Sequence, residues 1–206
     1  MRSIAVFDFD GTLTKKDTLL EFIKFACGTW NFYIVFLLYS PILILMKLHI
    51  FPNWKAKQMI FSHLFKGMEY KRFQDLGRQF ANIIESFRRE EIIEKLREHI
   101  KKGDTVYVIS ASIDEWVRPW CDALGVKDVL GTKIEVSSNG FITGKFLTKN
   151  CYGQEKVNRL LQIEPARNDY YLYAYGDSRG DREMLAFADE GKLVKNEIQD
   201  ICRGSE

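Results

Sequence analysis

Two acidic residues interrupt the first apolar run of the sequence. Asp8 and Asp10 lie two positions apart in the segment AVFDFDGTLT. Alternate residues of a strand point to the same side, so the two carboxylates would share one side of the strand end. Burying a carboxylate costs free energy unless another group compensates for it. The pair therefore indicates a functional site, with the alternative that the two acids only cap a turn.

Further polar residues follow two other apolar segments. Ser110 ends DTVYVIS, and Asp177 ends YYLYAYGD. Asp181 lies one helical turn beyond Asp177, and Lys156 lies near the start of the helical segment GQEKVNRLLQ. Ligands of open parallel sheets bind outside the carboxyl ends of the strands, so we expect these side chains to converge there. Plainer alternatives are that Ser110 only enters a helix, Lys156 is solvated, and Asp181 complements a helix dipole.

These residue types suit the transfer of a phosphoryl group. Three carboxylates in one place repel one another, and magnesium relieves such repulsion by binding a few carboxylates together with water and phosphate oxygens. Ser110 can donate a hydrogen bond to phosphate, Lys156 supplies positive charge, and backbone N–H groups near Gly11 can cradle an anion. The pattern predicts a phosphate, a magnesium ion and a carboxylate nucleophile.

Strands that alternate with helices must position these residues. Strand patterns cover about 3–7, 104–110, YYLYAYGD and GKLVKN, and TKIEVSSNGFITGKFLT predicts a hairpin with its turn at Asn139-Gly140. Helical patterns cover REEIIEKLREHIKKG, which stops at Gly103, and also GQEKVNRLLQ and SRGDREMLAFA. A further helix is predicted from Ser112, as its N-cap, to Gly125, and Pro119 should bend this helix or end its first half. The alternation predicts an α/β fold with a mostly parallel sheet.

The segment from Asp17 to Arg88 interrupts this alternation. It shows no convincing core strand, is rich in aromatic residues and long apolar runs, and carries an excess of positive charge. We interpret it as several helices inserted between the first and second core strands. The predicted organisation is a core of residues 1–16 and 89–206 and a helical cap of residues 17–88.

Four segments together resemble the ordered motifs of the haloacid dehalogenase superfamily. They are DFDGTLT, VISAS, GQEKVNRL and YGDSRGDREML, and they span roughly the two thirds of the chain that form the core. Each motif is short, but four in the right order are jointly specific. The resemblance implies a three-layer, Rossmann-like core and a reaction that passes through a phospho-aspartyl intermediate.

The resemblance also implies a role for each matched residue. Asp8 would be the nucleophile, and Asp10 would protonate the leaving group and then activate water. Ser110, the adjacent Ala111 and Lys156 would hold the phosphoryl group. The Mg²⁺ ligands would be Asp8, the backbone carbonyl of Asp10, and Asp177. Asp181 would support the metal or orient Lys156, and Thr12 would fix the turn.

A helical cap in this place resembles the branch that contains phosphoserine phosphatases and phosphatidylglycerophosphatase C-like enzymes. Asp17 stands where phosphoserine phosphatases carry a substrate-binding Glu, so it would bind a substrate amine or only N-cap the first cap helix. The second motif has Ser-Ala-Ser where those phosphatases usually show Ser-Gly-Gly. This difference weakens the prediction of a serine substrate.

The most apolar part of the insertion is WNFYIVFLLYSPILILMKLHIF, residues 30–51. Its uncharged portion is slightly shorter than the roughly 18 residues of a membrane span. A single crossing would also separate Asp8 from the site residues that follow the stretch. Two interpretations stay open: a pair of buried cap helices turning at Ser40-Pro41, or an interfacial hairpin that docks on a membrane. The lysines that would suit anionic lipid are Lys47, Lys55 and Lys57.

Composition narrows the class of protein. The 206 residues can form one core with a small second unit, and a net charge of +2 is too small for a nucleic-acid partner. The scattered cysteines and histidines favour reduced thiols and packing or surface roles over disulfides or zinc. They are Cys27, Cys121, Cys151, Cys202, His49, His63 and His99. Asp8 and Asp10 fall where a signal peptide would be apolar, so we expect a cytoplasmic protein, with peripheral attachment to the inner membrane face as the alternative.

The sequence thus predicts a Mg²⁺-dependent phosphomonoesterase and leaves its substrate open. One hypothesis is a phospholipid head-group phosphate such as phosphatidylglycerophosphate. The second is a small soluble phosphate such as phosphoserine, and the third is a non-catalytic module that only binds phosphate. Phosphoryl transfer to an acceptor other than water is also open.

Overall fold

The protein is described by a computed structural model that covers residues 2–194. Its centre is a five-stranded sheet with the order β3-β2-β1-β6-β7, in which every neighbouring pair is parallel. The strands are β1 (Arg2–Phe7), β2 (Thr105–Ile113), β3 (Asp128–Thr132), β6 (Tyr170–Gly176) and β7 (Glu190–Leu193). The predicted α/β fold with a mostly parallel sheet is confirmed.

Helices from residue 90 onward cover the sheet. They are α6 (Glu90–Lys102), α7 (Asp114–Ala123), α8 (Gln154–Ile163) and α9 (Arg182–Phe187). The central strand β1 is buried from Ile4 to Phe7, as expected of a parallel strand covered on both faces. Gly103 ends α6 in the left-handed conformation with φ of 84°, which confirms it as the helix stop.

Two boundaries near the second core strand differ from the prediction. Strand β2 continues to Ile113, so Ser112 lies in the strand, and α7 begins at Asp114 with no side-chain cap. The N-capping role predicted for Ser112 is therefore wrong. Pro119 lies inside α7 without ending it, and the Glu115 carbonyl that a residue 119 N–H would have bonded packs closely against Gly77.

Five helices connect β1 to α6 and form the cap. They are α1 (Thr18–Cys27), α2 (Thr29–Leu38), α3 (Ser40–Lys47), α4 (Asn53–Phe65) and α5 (Tyr70–Ile84). Buried aromatic rings from α1, α4, α5 and α7 hold the cap together and join it to the core: Phe22, Phe61, Phe73, Phe80 and Trp116. Where the chain enters and leaves the cap, Arg89 donates its backbone N–H to Leu13. The exact division at 16/17 and 88/89 stays a prediction.

The predicted hairpin forms and packs against the cap. Its strands are β4 (Ile134–Val136) and β5 (Ile142–Phe146), with Gly140 in its turn at φ of 81°. Gly67 donates its N–H to the Ile142 carbonyl, and Phe146 donates its N–H to the Gln58 side chain of α4. The hairpin therefore bridges the core and the cap.

The helices α2 and α3 turn at Tyr39-Ser40, close to the predicted turn, but they are not buried. Only Phe32 and Val35 of α2 are buried, and α3 contains no buried residue. The prediction of a buried helix pair is therefore wrong, because hydrophobicity alone does not show whether a partner element exists. The exposed apolar surface of these helices, called the α2–α3 surface below, comprises Trp30, Tyr33, Ile34, Leu37, Leu38, Ile44 and Leu45.

Within residues 2–194, no single helix is long and apolar enough to cross a membrane. The pair α1 and α2 meets the length and composition criteria only jointly and is bent by 120°. Two predicted features extend beyond the described residues: Cys202, and the last two positions of the GKLVKN strand, of which β7 covers the first part.

Candidate active site

The turn after β1 brings the first motif against the end of β6. Gly11 has a φ of 86°, in the left-handed region that favours glycine. A Cβ at this position would lie 2.3 Å from the Asp177 carboxylate. Glycine therefore satisfies both the backbone conformation and the close approach of Asp177 that the site requires.

A buried lysine connects two of the predicted carboxylates. Lys156 donates to Asp8 Oδ1 and to Asp181 Oδ1, each at 2.5 Å, and to the Ile109 carbonyl at 3.3 Å. Burial raises the pKa of Asp8 to about 7, although the Lys156 charge opposes the rise. Burial disfavours the Lys156 ammonium, but Asp8 and Asp181 outweigh it and raise its pKa. Asp8 and Lys156 therefore form a tightly coupled buried pair.

Three carboxylates meet in a geometry that could hold a cation. Oxygens of Asp8, Asp177 and Asp181 lie within 4.8 Å of one another. Thr12 Oγ1 lies 3.4 Å from Asp8 Oδ2 and 3.3 Å from Asp177 Oδ1, between the two acids. An all-oxygen set with few carboxylates fits magnesium, which keeps positions for water and phosphate. The donor set is thus compatible with the predicted Mg²⁺.

The Asp10 carboxylate receives three hydrogen bonds from residues that the sequence analysis did not assign to the site. The N–H and Oγ1 of Thr18 donate to Oδ1 at 2.7 and 2.6 Å, and Ser112 Oγ donates to Oδ2 at 2.5 Å. Burial is the main reason that the pKa of Asp10 is raised, and these hydrogen bonds oppose the rise. Thr18 is the first residue of α1, so Asp10 contacts both the cap and the core.

A signal for Ser112 was present in the sequence. It lies two positions beyond Ser110, which in a strand places the two hydroxyls on the same side. Ser110 is fully buried, and its Oγ accepts a hydrogen bond from the Ser112 N–H at 2.9 Å, so its hydroxyl proton remains available for donation. Ala111 lies between them and is half-buried.

Asp17 borders this cluster of buried groups, and its negative charge adds to the rise in the pKa of Asp10. Asp17 is exposed, and its Oδ1 accepts hydrogen bonds from the N–H groups of Leu19 and Leu20 at 3.0 and 3.3 Å. This is N-cap geometry at the start of α1. The helix-capping interpretation therefore accounts for its contacts, and substrate binding by Asp17 stays a prediction.

Comparison with known proteins identifies the family of this chain. Residues 5–186 match the family of haloacid dehalogenase-like hydrolases. The protein CicA of Caulobacter vibrioides is 34% identical over 191 residues, which cover 91% of this chain and 83% of CicA. A histidinol-phosphatase of Neisseria meningitidis is 27% identical over 109 residues, half of this chain and 49% of that enzyme.

Solved structures share the fold. A Bordetella pertussis protein of unknown function superposes with a TM-score of 0.81 at 18% identity, covering 98% of this chain and 95% of that one. A phosphoserine phosphatase with bound substrate gives a TM-score of 0.62 at 20% identity, covering 98% of both chains. The chain belongs to the haloacid dehalogenase-like hydrolase family, as predicted. The family match identifies it as a hydrolase.

Proposed function

We propose that the protein hydrolyses a phosphate monoester through a phospho-aspartyl intermediate on Asp8, with the help of Mg²⁺. The observation that carries the proposal is the buried arrangement of Asp8 between Lys156 and the Asp177 and Asp181 carboxylates. Mg²⁺, held by Asp8, Asp177 and the backbone carbonyl of Asp10, would neutralise charge on the phosphoryl oxygens. Asp181 would support this set and orient Lys156.

The protein residues divide the work of the reaction. An Asp8 oxygen attacks phosphorus while the bond to the leaving-group oxygen breaks, and Asp10 gives that oxygen its proton. Ser110 donates to the transferring phosphoryl group, and Lys156 exchanges its hydrogen bond to Asp8 for one to a phosphoryl oxygen as the charge redistributes. Asp10, now ionised, takes a proton from water, which attacks phosphorus, releases phosphate and restores Asp8.

Removal of divalent cations tests the metal requirement. Hydrolysis of p-nitrophenyl phosphate should stop in the presence of a chelator and return when excess Mg²⁺ is added. Asp177→Asn should raise the Mg²⁺ concentration needed for half-maximal rate, whereas Asp122→Asn, which changes an exposed acid of α7, should leave it unchanged. Full activity of the chelated enzyme would contradict the metal role.

The α2–α3 surface supports a substrate presented by a lipid bilayer. Leu37 is 77% exposed and Trp30 is 84% exposed, which is unusual for large apolar side chains grouped on neighbouring helices. No Asp or Glu occurs between Glu21 and Glu69, while lysines flank the surface at Lys47, Lys55 and Lys57. We infer that this surface docks on anionic membranes and that the substrate is a phospholipid head-group phosphate such as phosphatidylglycerophosphate.

Vesicle flotation tests the membrane contact separately from catalysis. The wild type should float with vesicles that contain anionic lipid, and Ile34→Asp/Leu37→Asp should not, while hydrolysis of a soluble aryl phosphate stays unchanged. Leu193→Asp, which alters an apolar side chain of 62% exposure outside the cap, is the matched control and should still float. Absence of wild-type binding would favour a small soluble substrate such as phosphoserine. Absence of turnover across a broad phosphate panel would favour the non-catalytic module.

A further inference from the structure

A cavity of about 490 Å³ lies between the cap and the core, beside the end of β2. Trp54 of α4 and Leu19 of α1 line it from the cap, and Trp116 and Phe146 line it from the core side. A cavity of this size is typical of ligands much larger than a serine side chain, since ligand sites measure about 300–1,000 Å³. Its walls are mainly apolar.

Two lysines are the charged side chains of this cavity. Lys57 is half-buried on α4, and Lys149 is exposed on the segment after β5. No acid lines the cavity, and within residues 2–194 neither ammonium forms an ion pair. Two unneutralised cations in the lining of an apolar cavity favour an anionic group of the ligand.

The cavity adjoins the group that would protonate the leaving oxygen. Ser112 lines it and donates to Asp10 Oδ2, and Ala111, the residue after Ser110, also lines it. A phosphoryl group on Asp8 must have its leaving group within reach of Asp10. The body of that leaving group can therefore extend into this cavity.

We propose that the cavity binds the leaving group and that Lys57 and Lys149 select leaving groups with an apolar body and a second negative charge. The inference rests on the proposed phosphatase function and adds the substrate class. Two sources have this chemistry: a phospholipid whose terminal phosphate is followed by a phosphodiester, and a soluble phosphate ester of an apolar carboxylic acid. Phosphate esters with a neutral or zwitterionic leaving group would have a lower kcat/KM than esters whose leaving group carries the second negative charge.

A matched pair of aryl phosphates tests the selection. 4-Carboxyphenyl phosphate carries the second charge, and 4-carbamoylphenyl phosphate is its neutral counterpart of nearly the same shape. The wild-type ratio of kcat/KM values for the charged over the neutral ester should be about tenfold higher than the ratio for Lys57→Met/Lys149→Met, as expected when about 1.4 kcal/mol of charge interaction is lost. Lys145→Met, on the same hairpin but outside the cavity, should keep the wild-type ratio.

The outcomes separate this inference from the function on which it rests. The role of the two lysines would be overturned if the charged-to-neutral ratio of kcat/KM were the same in the wild type and the double variant. The proposed function would still stand in that case, provided that hydrolysis of both esters depends on Asp8. Failure of the wild type to hydrolyse either ester would overturn the proposed function. A final arm compares a short-chain phospholipid bearing a terminal phosphate with its deacylated head group: higher kcat/KM for the acylated form identifies the lipid source, and equal values identify the soluble one.

Discussion

The active site buries charged side chains, whereas the α2–α3 surface exposes apolar ones. At the end of the sheet, charged groups are buried, and Lys156 uses its three N–H donors on Asp8, Asp181 and a carbonyl. On the α2–α3 surface, apolar side chains are exposed and acids are absent. Both arrangements cost free energy, because buried charges lose their hydration and exposed apolar side chains stay in contact with water. Each therefore indicates a function: the first prepares chemistry on a phosphate, and the second favours contact with an apolar partner.

The largest expected effect is at the nucleophile. Asp8→Asn keeps the size of the side chain and removes its nucleophilic oxygen, so kcat for an aryl phosphate should fall by more than roughly 10⁴-fold. The circular dichroism spectrum and the unfolding temperature should show a folded protein. Turnover close to the wild-type rate would mean that the buried acids of the site have another purpose.

Lys156→Met should affect both the chemistry and the stability. It leaves Asp8 and Asp181 buried without their shared cation, which should lower the free energy of unfolding by about 3–5 kcal/mol in metal-free protein at neutral pH. Loss of a phosphoryl-binding donor should also lower kcat by roughly 10²–10³-fold. Denaturant unfolding and steady-state kinetics measure the two effects. Lys145→Met, an exposed change, is the control for stability.

Substitutions on one helix test whether the α2–α3 surface is as exposed as the structure shows. Val35→Asp places a charge at a position of 4% exposure and should lower the free energy of unfolding by about 3 kcal/mol. Leu37→Asp, at 77% exposure, should change it by less than about 0.5 kcal/mol. Equal, large losses for the two variants would show that α2 packs against another part of the protein in solution.

A smaller effect is expected at the residue that supports Asp10. Ser112→Ala removes one of the three hydrogen bonds to its carboxylate, so kcat should fall roughly tenfold, the equivalent of a charged hydrogen bond of about 1.5 kcal/mol. KM should change little because the hydroxyl acts through Asp10. The pH profile of kcat should shift as well, since this hydrogen bond favours the ionised form of Asp10. An unchanged profile would assign Ser112 a purely structural role.

The same contrast explains what could be predicted from the sequence. The motif strands β1 and β6 and the helix α8 follow from local apolar patterns and stop signals, and Asp8, Asp177, Asp181 and Lys156 lie together because parallel strands share one carboxyl edge. Strand β3 was not predicted, because DVLGT is short and its role depends on pairing with β2. The exposure of α2 and α3 could not be predicted, since their apolar sequence is equally compatible with a buried pair.

The pair of contacts at Asp10 shows a further limit. Ser112 was predicted to cap a helix because serine commonly does so before a helical pattern. Extension of β2 to Ile113 places it beside Asp10 instead, and Thr18 reaches the same carboxylate from the start of the cap. Such contacts join positions 8 and 102 residues apart, so they depend on how the cap is seated on the core.

The covalent intermediate on Asp8 is the most direct test of the account. Enzyme quenched in acid during turnover and then treated with borohydride should contain homoserine at position 8, because borohydride reduces an acyl phosphate and not a free carboxylate. Peptide mass spectrometry should find this product in the wild type and not in Asp8→Asn. Homoserine at position 10 instead of position 8 would contradict Asp8 as the nucleophile. A phosphoryl group found on any other residue of the quenched enzyme, with no homoserine at position 8, would contradict it as well.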